Sequence, residues 1–564
     1  MRRHRLPRFI AEVIDEPGPR AALIAGAVAL FAAGMNPRVF SASVPSVQAA
    51  IRMRPELEAM AVLGALVAAG LLFIGGAVGD TARARRIIVG GLVVELAAAL
   101  VSVFLPVGPL LALSRLVGTA AAAFVIPVSL ASVATSYQGV PRATAIGIAY
   151  SAFGLANAAV LFLLALQPGW HLPAYVAAAG ACVLAIVVSR DRLPLLEQPK
   201  LAERPYVLTT ALWGMGIVTL TTGVVWFGTG LWDLLRWTLI LAGGLTLAGV
   251  IVYGRRRRRR RRAAGLDVEQ RPVAAAVFVG LILAIAQTIP LSQLPIYFRY
   301  VHQYGTLAST LALVPLFVAL VLAGPIAGIQ LRRYSPRAVV GIGVVGVGLG
   351  DLVLAAITVP NAPYVIFILP FVLVAVGFVF ATTVRTAIIF ASVPRGLPAT
   401  AAALNHASLE LGSRIGIVLA TAVAAGVALS AYEASLAGLP PAEIDAAVAA
   451  FGDVLAAVGL PSFGESVAGI DPDLVAPYVD AYSRGVRVAM ALGALIALVG
   501  GLVVWFLLPN RDPLAVEYQF RDERPVPRAP SEESPTSTVD RPGLEASGAG
   551  RVASGARESP GDGA

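Results

Sequence analysis

Long apolar runs fill most of this sequence and decide what it can fold into. A helix needs about 20 mostly apolar residues to cross the hydrocarbon core of a bilayer. Runs of that length lie at 21–45, 58–79, 86–105, 109–131, 143–166, 170–189, 206–227, 235–253, 273–297, 307–329, 338–358, 363–390, 400–430 and 485–508. No polar segment long enough for a separate soluble domain interrupts them. The sequence therefore predicts an all-α integral membrane protein with fourteen spans.

The composition excludes the common soluble classes. Of the 564 residues, 57% are hydrophobic and 13% are charged, whereas about 25% are charged in typical soluble proteins. The net charge of +10 comes from arginines between the apolar runs, without interleaved aromatic residues, so we expect no nucleic-acid partner. Cys182 is the only cysteine, which excludes an intrachain disulfide. No P-loop, catalytic triad pattern or metal-ligating cluster is evident, so we expect a protein that is not an enzyme, with no cofactor and no metal site.

Basic residues alternate between the loops and predict an orientation. An even number of spans places both termini on one side of the membrane. The loops on that side carry Arg83, Arg85, Arg86, Arg142, Arg190, Arg192, Lys200, Arg204, Arg255–Arg262, Arg332, Arg333, Arg337 and Arg395. By the positive-inside rule both termini are cytoplasmic. The use of arginine almost without lysine, with abundant Ala, Gly and Val, is typical of GC-rich coding sequence and indicates a bacterial plasma membrane.

A short loop after the second run carries the most informative motif. It combines a glycine-rich helix end with one carboxylate and a basic cluster, in Gly76, Asp80 and Arg85–Arg86. This resembles the G-x-x-x-D-(R/K)-x-G-(R)-(K/R) signature of the major facilitator superfamily. Thr81 stands where a base is usual, and Arg83 stands where glycine is usual. The resemblance implies a gating loop on the cytoplasmic side.

Further motifs are similar to those of the fourteen-span drug:proton antiporter branch of that superfamily. The fourth run has an R…G…P pattern, from Arg115 to Pro127, in which the family's intramembrane arginine is associated with proton coupling. The stretch 393–416 is similar to the start of the antiporters' penultimate helix, and 294–298 to the end of their ninth span. Residues 328–337 resemble a degenerate copy of the loop after the second run. The resemblance extends to about residue 510 and implies two six-helix bundles that rock about a central site, with two extra central helices.

Two departures from the family pattern concern proton coupling and helix packing. In the first run, Asn36 replaces the acid of the family motif and Arg38 replaces its threonine. Asparagine cannot release a proton, so that coupling site is lost. In the fifth run, Ala158-Ala159 stand where Gly-Pro is usual. We therefore expect that helix to be straighter and less closely packed than in the family.

With the resemblance, the chain divides into five segments. They are a cytoplasmic tail at 1–20, an N-terminal bundle at 21–205, two extra helices with a poly-arginine linker at 206–265, a C-terminal bundle at 266–511 and a disordered tail at 512–564. The second bundle includes an acidic extracellular loop at 431–483, which is either a solvated cap or a vestibule that gathers substrate. Its alanine-rich stretches predict short amphipathic helices such as 441–457.

The poly-arginine run Arg255–Arg262 needs its own explanation. Eight adjacent arginines cannot share one helix face, so we expect a solvated cytoplasmic linker rather than a recognition helix. Attraction to anionic lipid is about 1 kcal/mol per basic residue near the surface. Anchoring to the lipid bilayer is thus one role, and binding of nucleic acid or a regulatory partner is the alternative.

Charged residues inside the apolar runs are candidates for function. Each costs about 2.5–3.5 kcal/mol to insert, and they are Arg38, Glu95, Arg115, Asp351, Arg385, Glu410 and Arg414. In the family layout, spans one, four, twelve and thirteen line the pathway, which implies that all except Glu95 and Asp351 face it. For Glu95 and Asp351 we expect structural pairing or an interfacial position.

Three of the candidates form a regular pattern in the thirteenth run. The spacing of His406, Glu410 and Arg414 places them on one stripe of a helix. Glu410 either exchanges protons or contacts substrate, or it forms a static ion pair with Arg414. Arg38 is an anion contact, the partner of Glu410, or a snorkelling residue near the outer face. Arg115 is either functional or pairs with a helix-end carbonyl.

The ninth run is polar and broken by two prolines. It carries Gln287, Thr288, Ser292 and Gln293, and with Asn36 and Asn405 these are candidates for the substrate cavity, the alternative being ordinary hydrogen bonding between helices.

Together these features predict a monomeric secondary transporter that exports a small organic or drug-like molecule by alternating access, with protons as a coupling ion. One alternative is an exporter or facilitator of an anionic substrate without proton coupling. Another is a membrane sensor or scaffold with a transporter fold.

Overall fold

The computed structural model describes residues 13, 17–51, 70–105, 108–166, 172–192, 212–217, 219–220, 223, 231–263, 271–393, 397–436, 440–457 and 472–508. Every regular element in these residues is helical. In the first half the helices are α1 (Pro17–Ile51), α2 (Gly70–Gly79), α3 (Ala84–Phe104), α4 (Gly108–Ser136), α5 (Gly139–Leu166) and α6 (Leu172–Arg192). Helix α7 (Leu231–Ala263) follows between the halves.

The second half begins at Arg271. It contains α8 (Arg271–Tyr300), α9 (Thr306–Leu311), α10 (Val314–Gln330), α11 (Pro336–Ile357), a 3-10 turn at Tyr364–Phe367, α12 (Ile368–Ser392), α13 (Pro398–Ser435), α14 (Pro441–Ala457) and α15 (Pro472–Leu507). Helices α8, α10, α13 and α15 are continuous across internal or N-terminal prolines.

Twelve helices within the described residues are long and apolar enough to cross a membrane. They match twelve of the fourteen predicted spans. Of the second span only α2 is described, and of the seventh only residues 212–217, 219–220 and 223. The predicted tail at 512–564 lies outside the described residues.

The outer surface of the helices confirms a multi-pass membrane protein. Large apolar side chains are widely exposed, among them Leu241 (63%), Leu322 (61%) and Phe506 (76%). Soluble monomers do not expose apolar patches on this scale. In a bilayer the same side chains face lipid tails and need no further cover.

Each half packs around its own core. In the first half α1 packs against α4, α5 and α6, and α3 packs against α4 and α6. In the second half α8, α13 and α15 pack against one another, and α11 packs against α12 and α15. The cores are built from small and aliphatic residues, with Ile88, Leu92 and Val125 in the first and Val344, Val347 and Val384 in the second.

The two halves meet tightly at one face. We call this the arginine-rich face, because the loops beside it carry Arg83–Arg86 and Arg332–Arg337. There α5 crosses α10 so closely that a Cβ on Gly147 would collide with the backbone of Gly324. A Cβ on Gly76 of α2 would lie 2.5 Å from the Cβ of Ala403 in α13. Only glycine permits these contacts.

Two predicted loops are largely helical. Helix α7 continues through Arg255–Arg262 to Ala263, so the poly-arginine segment is a helix end and not a linker. Arginine is a good helix former, and adding residues to an existing helix costs little. The segment 431–483 is likewise mostly helix, because α13 reaches Ser435 and α15 starts at Pro472. The predicted helix at 441–457 is confirmed as α14.

An aromatic cluster holds α14 to the longer helices. Phe451 lies with its ring centre 4.5 Å from Tyr432 of α13 and 4.3 Å from Tyr478 of α15. Aromatic pairs at this separation add about 0.5–1.5 kcal/mol beyond area burial. The second half therefore carries a small packed extension on the side opposite the arginine-rich face.

Candidate functional site

Two adjoining cavities lie between the halves, with volumes of about 280 Å³ and 180 Å³. Both are lined by Arg38 of α1, by α5, and by the same stretch of α13. The residues common to both are Arg38, Phe153, Asn157, His406, Glu410 and Ser413. They are two parts of one space, which we call the central cavity.

The predicted stripe on α13 faces the central cavity. The Oε2 atom of Glu410 lies 3.3 Å from Nη2 of Arg414, and its Oε1 atom lies 3.8 Å from Nε2 of His406. The side chains of Glu410 and Arg414 are each about one-third exposed, at 33% and 32%. His406 is buried, with its ring edge-on to Phe153 at 5.4 Å. Glu410 and Arg414 thus form an ion pair, and both side chains are partly exposed in the cavity.

Arg38 approaches the same carboxylate from the other half. Its side chain is exposed to the cavity, and its Nε donates to Oδ1 of Asn157 at 2.7 Å. It also interacts electrostatically with Glu410 and Arg414. Arg38 is thus a cavity residue, held in place by an amide on α5.

Among the described residues, the charges that line the central cavity do not balance. They are Arg38 and Arg414 against the carboxylate of Glu410. With His406 neutral, one positive charge is in excess. Arg115 of α4 is buried behind the cavity, within electrostatic range of Arg414, and adds a further positive charge nearby. The arrangement favours an anionic ligand.

One wall of the cavity is the polar part of α8, as expected. Gln287 and Thr288 line the larger cavity, and the Thr288 hydroxyl donates to Ser413 Oγ at 3.1 Å. The next turn is different. Ser292 donates to the carbonyl of Ile289 within its own helix, and Gln293 is buried with its amide directed to Ser292.

A hydrogen-bonded layer closes the cavity towards the arginine-rich face, and we call it the floor. Asn405 of α13 donates from Nδ2 to the hydroxyl of Tyr150 in the other half. Its Oδ1 accepts from Thr386 at 3.0 Å, and its backbone carbonyl accepts from Arg385 at 3.2 Å. Arg385 and Asn405, predicted as lining residues, lie directly beneath the lining.

A second closure lies at the arginine-rich face itself. The carboxylate of Asp80 accepts from the backbone N–H groups of Ala399 and Thr400, at 2.7 and 3.0 Å, and from the Thr400 hydroxyl at 2.5 Å. It therefore caps the start of α13 from the opposite half. We call this contact the latch. Burial raises the pKa of Asp80 to about 6, against the opposing effect of the bonds from Thr400 and Ala399.

The other members of the predicted gating loop support the latch indirectly. Gly76 allows α2 to touch α13, as described above. Arg85 and Arg86 start α3 and are exposed beside the latch.

Asn36, Glu95 and Asp351 lie away from the cavity. Asn36 donates to the backbone carbonyl of Glu95 at 2.9 Å, between α1 and α3. Glu95 and Asp351 are fully buried, and neither carboxyl oxygen of either residue has a hydrogen-bond partner. The expected structural pairing of these acids is therefore absent from the described part of the chain.

Sequence reasoning missed the face of α5 that lines the cavity. Tyr150, Phe153, Gly154 and Asn157 lie on one side of that helix. The spacing of 150, 153, 154 and 157 is that of a helix stripe, which could have indicated it. No cluster of His, Cys, Asp or Glu in the described ranges could hold a metal ion.

No protein-family model matches the sequence, and no curated protein matches it. Solved structures do. The human organic anion transporter MFSD10 (TETRAN) superposes with a TM-score of 0.55 at 12% identity, covering 88% of this chain and all of that chain. A bacterial homolog of the human lysosomal transporter Spinster, inward-facing and unoccupied, gives 0.54 at 13% identity, covering 91% and 99%. The proton:xylose symporter XylE, of the major facilitator superfamily, gives 0.51 at 13% identity, covering 87% and 96%.

The chain has the major facilitator fold. At these identities the likeness concerns the fold, and it agrees with the all-helical architecture of two six-helix halves.

Proposed function

We propose that this protein is a secondary transporter that moves a small organic anion across the membrane by alternating access. The fold supports transport, since the solved structures that share it are described as transporters. Their described substrates differ, from organic anions to xylose, so the fold does not select the substrate. That choice rests on this chain's own cavity.

The observation that carries the proposal is the pair of arginines facing one carboxylate in a cavity between the halves. Arg38 comes from the first half and Arg414 from the second, so an anion bound between them contacts both moving parts. Floor and latch close this cavity on the arginine-rich side. A ligand that contacts both halves can shift the equilibrium between two arrangements of the halves, as alternating access requires.

Matched pairs of carboxylates and their amides test the substrate class. Benzoate and benzamide, salicylate and salicylamide have nearly the same shape and differ in charge. We expect the acids, and not the amides, to raise the melting temperature of the purified full chain and to enter proteoliposomes. Arg414→Gln and Arg38→Gln should abolish this difference. Equal effects of acid and amide would argue against an anion transporter.

Proton-coupled export of a drug-like molecule, as in the fourteen-span drug:proton antiporters, is a second candidate. The observation that favours it is Glu410, the one carboxylate that lines the described cavities. In that case a pH gradient should drive substrate flux, and in Glu410→Gln the flux should no longer depend on the gradient. Flux that ignores both the gradient and the substitution would leave Glu410 a structural ion-pair partner. A sensor or scaffold would show no flux under any gradient and would co-purify with a partner.

We also propose that the end of α7 anchors the protein to anionic lipid. Most of α7 is exposed, with Leu241 and Leu245 at 63% and 64%, so it lies at the periphery in contact with lipid. Its arginines then emerge at the headgroup level. Phosphatidylglycerol should stabilise the wild-type chain more than a variant with Arg255–Arg262 changed to glutamine, and equal stabilisation would contradict this role.

A further inference from the structure

Arg385 is a buried cation with no counter-charge in the part of the chain that the structure describes. It lies in α12 with none of its side chain exposed, one turn from Thr382 towards the arginine-rich face. Its Nη1 donates to the carbonyl of Ala276 and to Ser408 Oγ, both at 3.2 Å, and its Nη2 donates to the Asn405 carbonyl at 3.2 Å. Its Nε has no hydrogen-bond partner. All three acceptors are neutral, and no described carboxylate forms an ion pair with it.

Such a charge is expensive to keep. An ion without a counter-charge destabilises the interior of a membrane protein, and an apolar residue of similar size would pack there at lower cost. Neutral carbonyl and hydroxyl groups recover only part of that cost. A cation in this position is therefore best explained by an anion that reaches it in another arrangement of the halves.

The floor shows which arrangement uncovers it. Tyr150, from the first half, contacts Asn405, whose backbone carbonyl in turn holds Arg385. When the halves separate at the arginine-rich face, Tyr150 moves away with α5 and exposes this layer. Along α13, Thr400 of the latch, Asn405 of the floor and Glu410 of the cavity are five residues apart, which is about 7.5 Å per step. Arg385 thus lies one step beyond the cavity on the line from cavity to latch.

We propose that Arg385 is a second anion-binding position, which takes over the oxyanion group of the substrate when the arginine-rich face opens. The inference rests on the proposed transport of an organic anion. In the arrangement described here, the anion is held by Arg38 and Arg414. In the opposite arrangement, Tyr150 has left and the anion contacts Arg385, Thr386 and Asn405 before release.

Charged thiol reagents test the site without knowledge of the substrate. The full chain is prepared with Cys182→Ser, and with Asp80→Ala to loosen the latch. A single cysteine is then placed at Thr386, which shares Asn405 with Arg385, or at Ser413 in the central cavity. The rate of labelling by the anionic sulfonatoethyl methanethiosulfonate is divided by that of the cationic trimethylammonioethyl reagent, and the ratio is normalised to the denatured chain.

At Thr386→Cys we expect the ratio to fall at least about tenfold in Arg385→Gln, because a charge within about 6 Å acts on the two reagents with opposite sign. Arg385→Lys, which keeps the charge but not the hydrogen bonds, should preserve the ratio. Arg337→Gln, which removes a charge packed on Trp505 outside the pathway, should not change it. Helix packing alone predicts no such dependence on charge.

Two results would overturn the proposal. One is a ratio at Thr386→Cys that Arg385→Gln leaves unchanged, and the other is the absence of labelling there by either reagent in the Asp80→Ala background. Ser413→Cys separates this outcome from failure of the proposed function. If its ratio falls in Arg414→Gln, the anion-selective cavity stands whatever happens at Thr386. If it does not fall, the proposed substrate class is wrong.

Discussion

The latch makes closure of the arginine-rich face depend on one carboxyl group. Asp80 accepts three hydrogen bonds across the interface, two from the start of α13 and one from the Thr400 hydroxyl. Replacement by alanine removes both acceptor oxygens and leaves the N–H groups at the start of α13 and the Thr400 hydroxyl without their partner. Bonds to a charged acceptor are worth about 1.5–3 kcal/mol each, and the relief of burying a charge offsets part of their loss. We expect Asp80→Ala to weaken closure by about 1–3 kcal/mol, which is roughly 5- to 150-fold in the equilibrium constant.

The same carboxyl group gives closure a pH dependence whose sign follows from the pKa. In the closed arrangement the pKa is about 6, above the ordinary 3.8 that the exposed group has when the latch is open. The closed arrangement therefore binds more protons between these values, and it is favoured as pH falls through 6. Above this window both forms are ionised and the dependence vanishes. Between pH 8 and pH 5 the change is about one pKa unit, or about tenfold in favour of closure.

Distances between spin labels measure this equilibrium. Labels at Arg83 and Tyr334, both exposed and in different halves, report separation at the arginine-rich face in a Cys182→Ser background. The wild-type population at short distance should grow about tenfold relative to the long-distance one from pH 8 to pH 5. Asp80→Ala should shift the population to long distances and remove the pH step, while Thr400→Val, which loses one bond, should shift it less. A pH step that survives in Asp80→Ala would refute the reasoning.

Three further predictions follow from contacts elsewhere. Gly324→Ala should hold the halves apart at the arginine-rich face, because the added Cβ meets the backbone of Gly147. The spin labels at Arg83 and Tyr334 would report this separation. Gly90→Ala, where nothing lies within 4 Å of the added Cβ, is the matched control. Phe451→Ala should destabilise the extension around α14 by about 3–5 kcal/mol, and limited proteolysis would detect this loss. Transport should continue. Loss of transport while α14 stays intact would contradict a purely structural role for Phe451. Glu95→Gln should change the melting temperature little, because no described partner needs its charge; a loss of several kcal/mol would indicate an unrecognised partner.

What the sequence predicted well is local along the chain. The length of the apolar runs was enough to locate twelve described spans, because unpaired backbone polar groups are so costly in lipid that few alternatives to a helix remain. The spacing of His406, Glu410 and Arg414 predicted one stripe, because residues four apart on a helix are neighbours in any context. The loop motif singled out Asp80, but its partners lie 319 and 320 positions away, at Ala399 and Thr400.

What the sequence missed depends on contacts between distant helices. Asn157 was not noticed, because one amide in an apolar run has no meaning until Arg38 lies beside it. The polar turn of α8 was predicted as a whole, yet Ser292 and Gln293 bond locally and only Gln287 and Thr288 reach the cavity. Which face of a helix points into a cavity is set by the helices packed around it, and hydropathy does not encode that packing.

Helix α13 is a single rod of 38 residues, about 57 Å long. The latch lies near one end, the floor and the cavity follow, and Tyr432 with its aromatic neighbours lies near the other. Such a rod acts as a lever: a tilt of about 10° around its middle would displace each end by about 5 Å. Opening at the arginine-rich face would therefore be visible at the far side of the membrane, and an antibody fragment that grips α14 there could bias the transport cycle without entering the cavity.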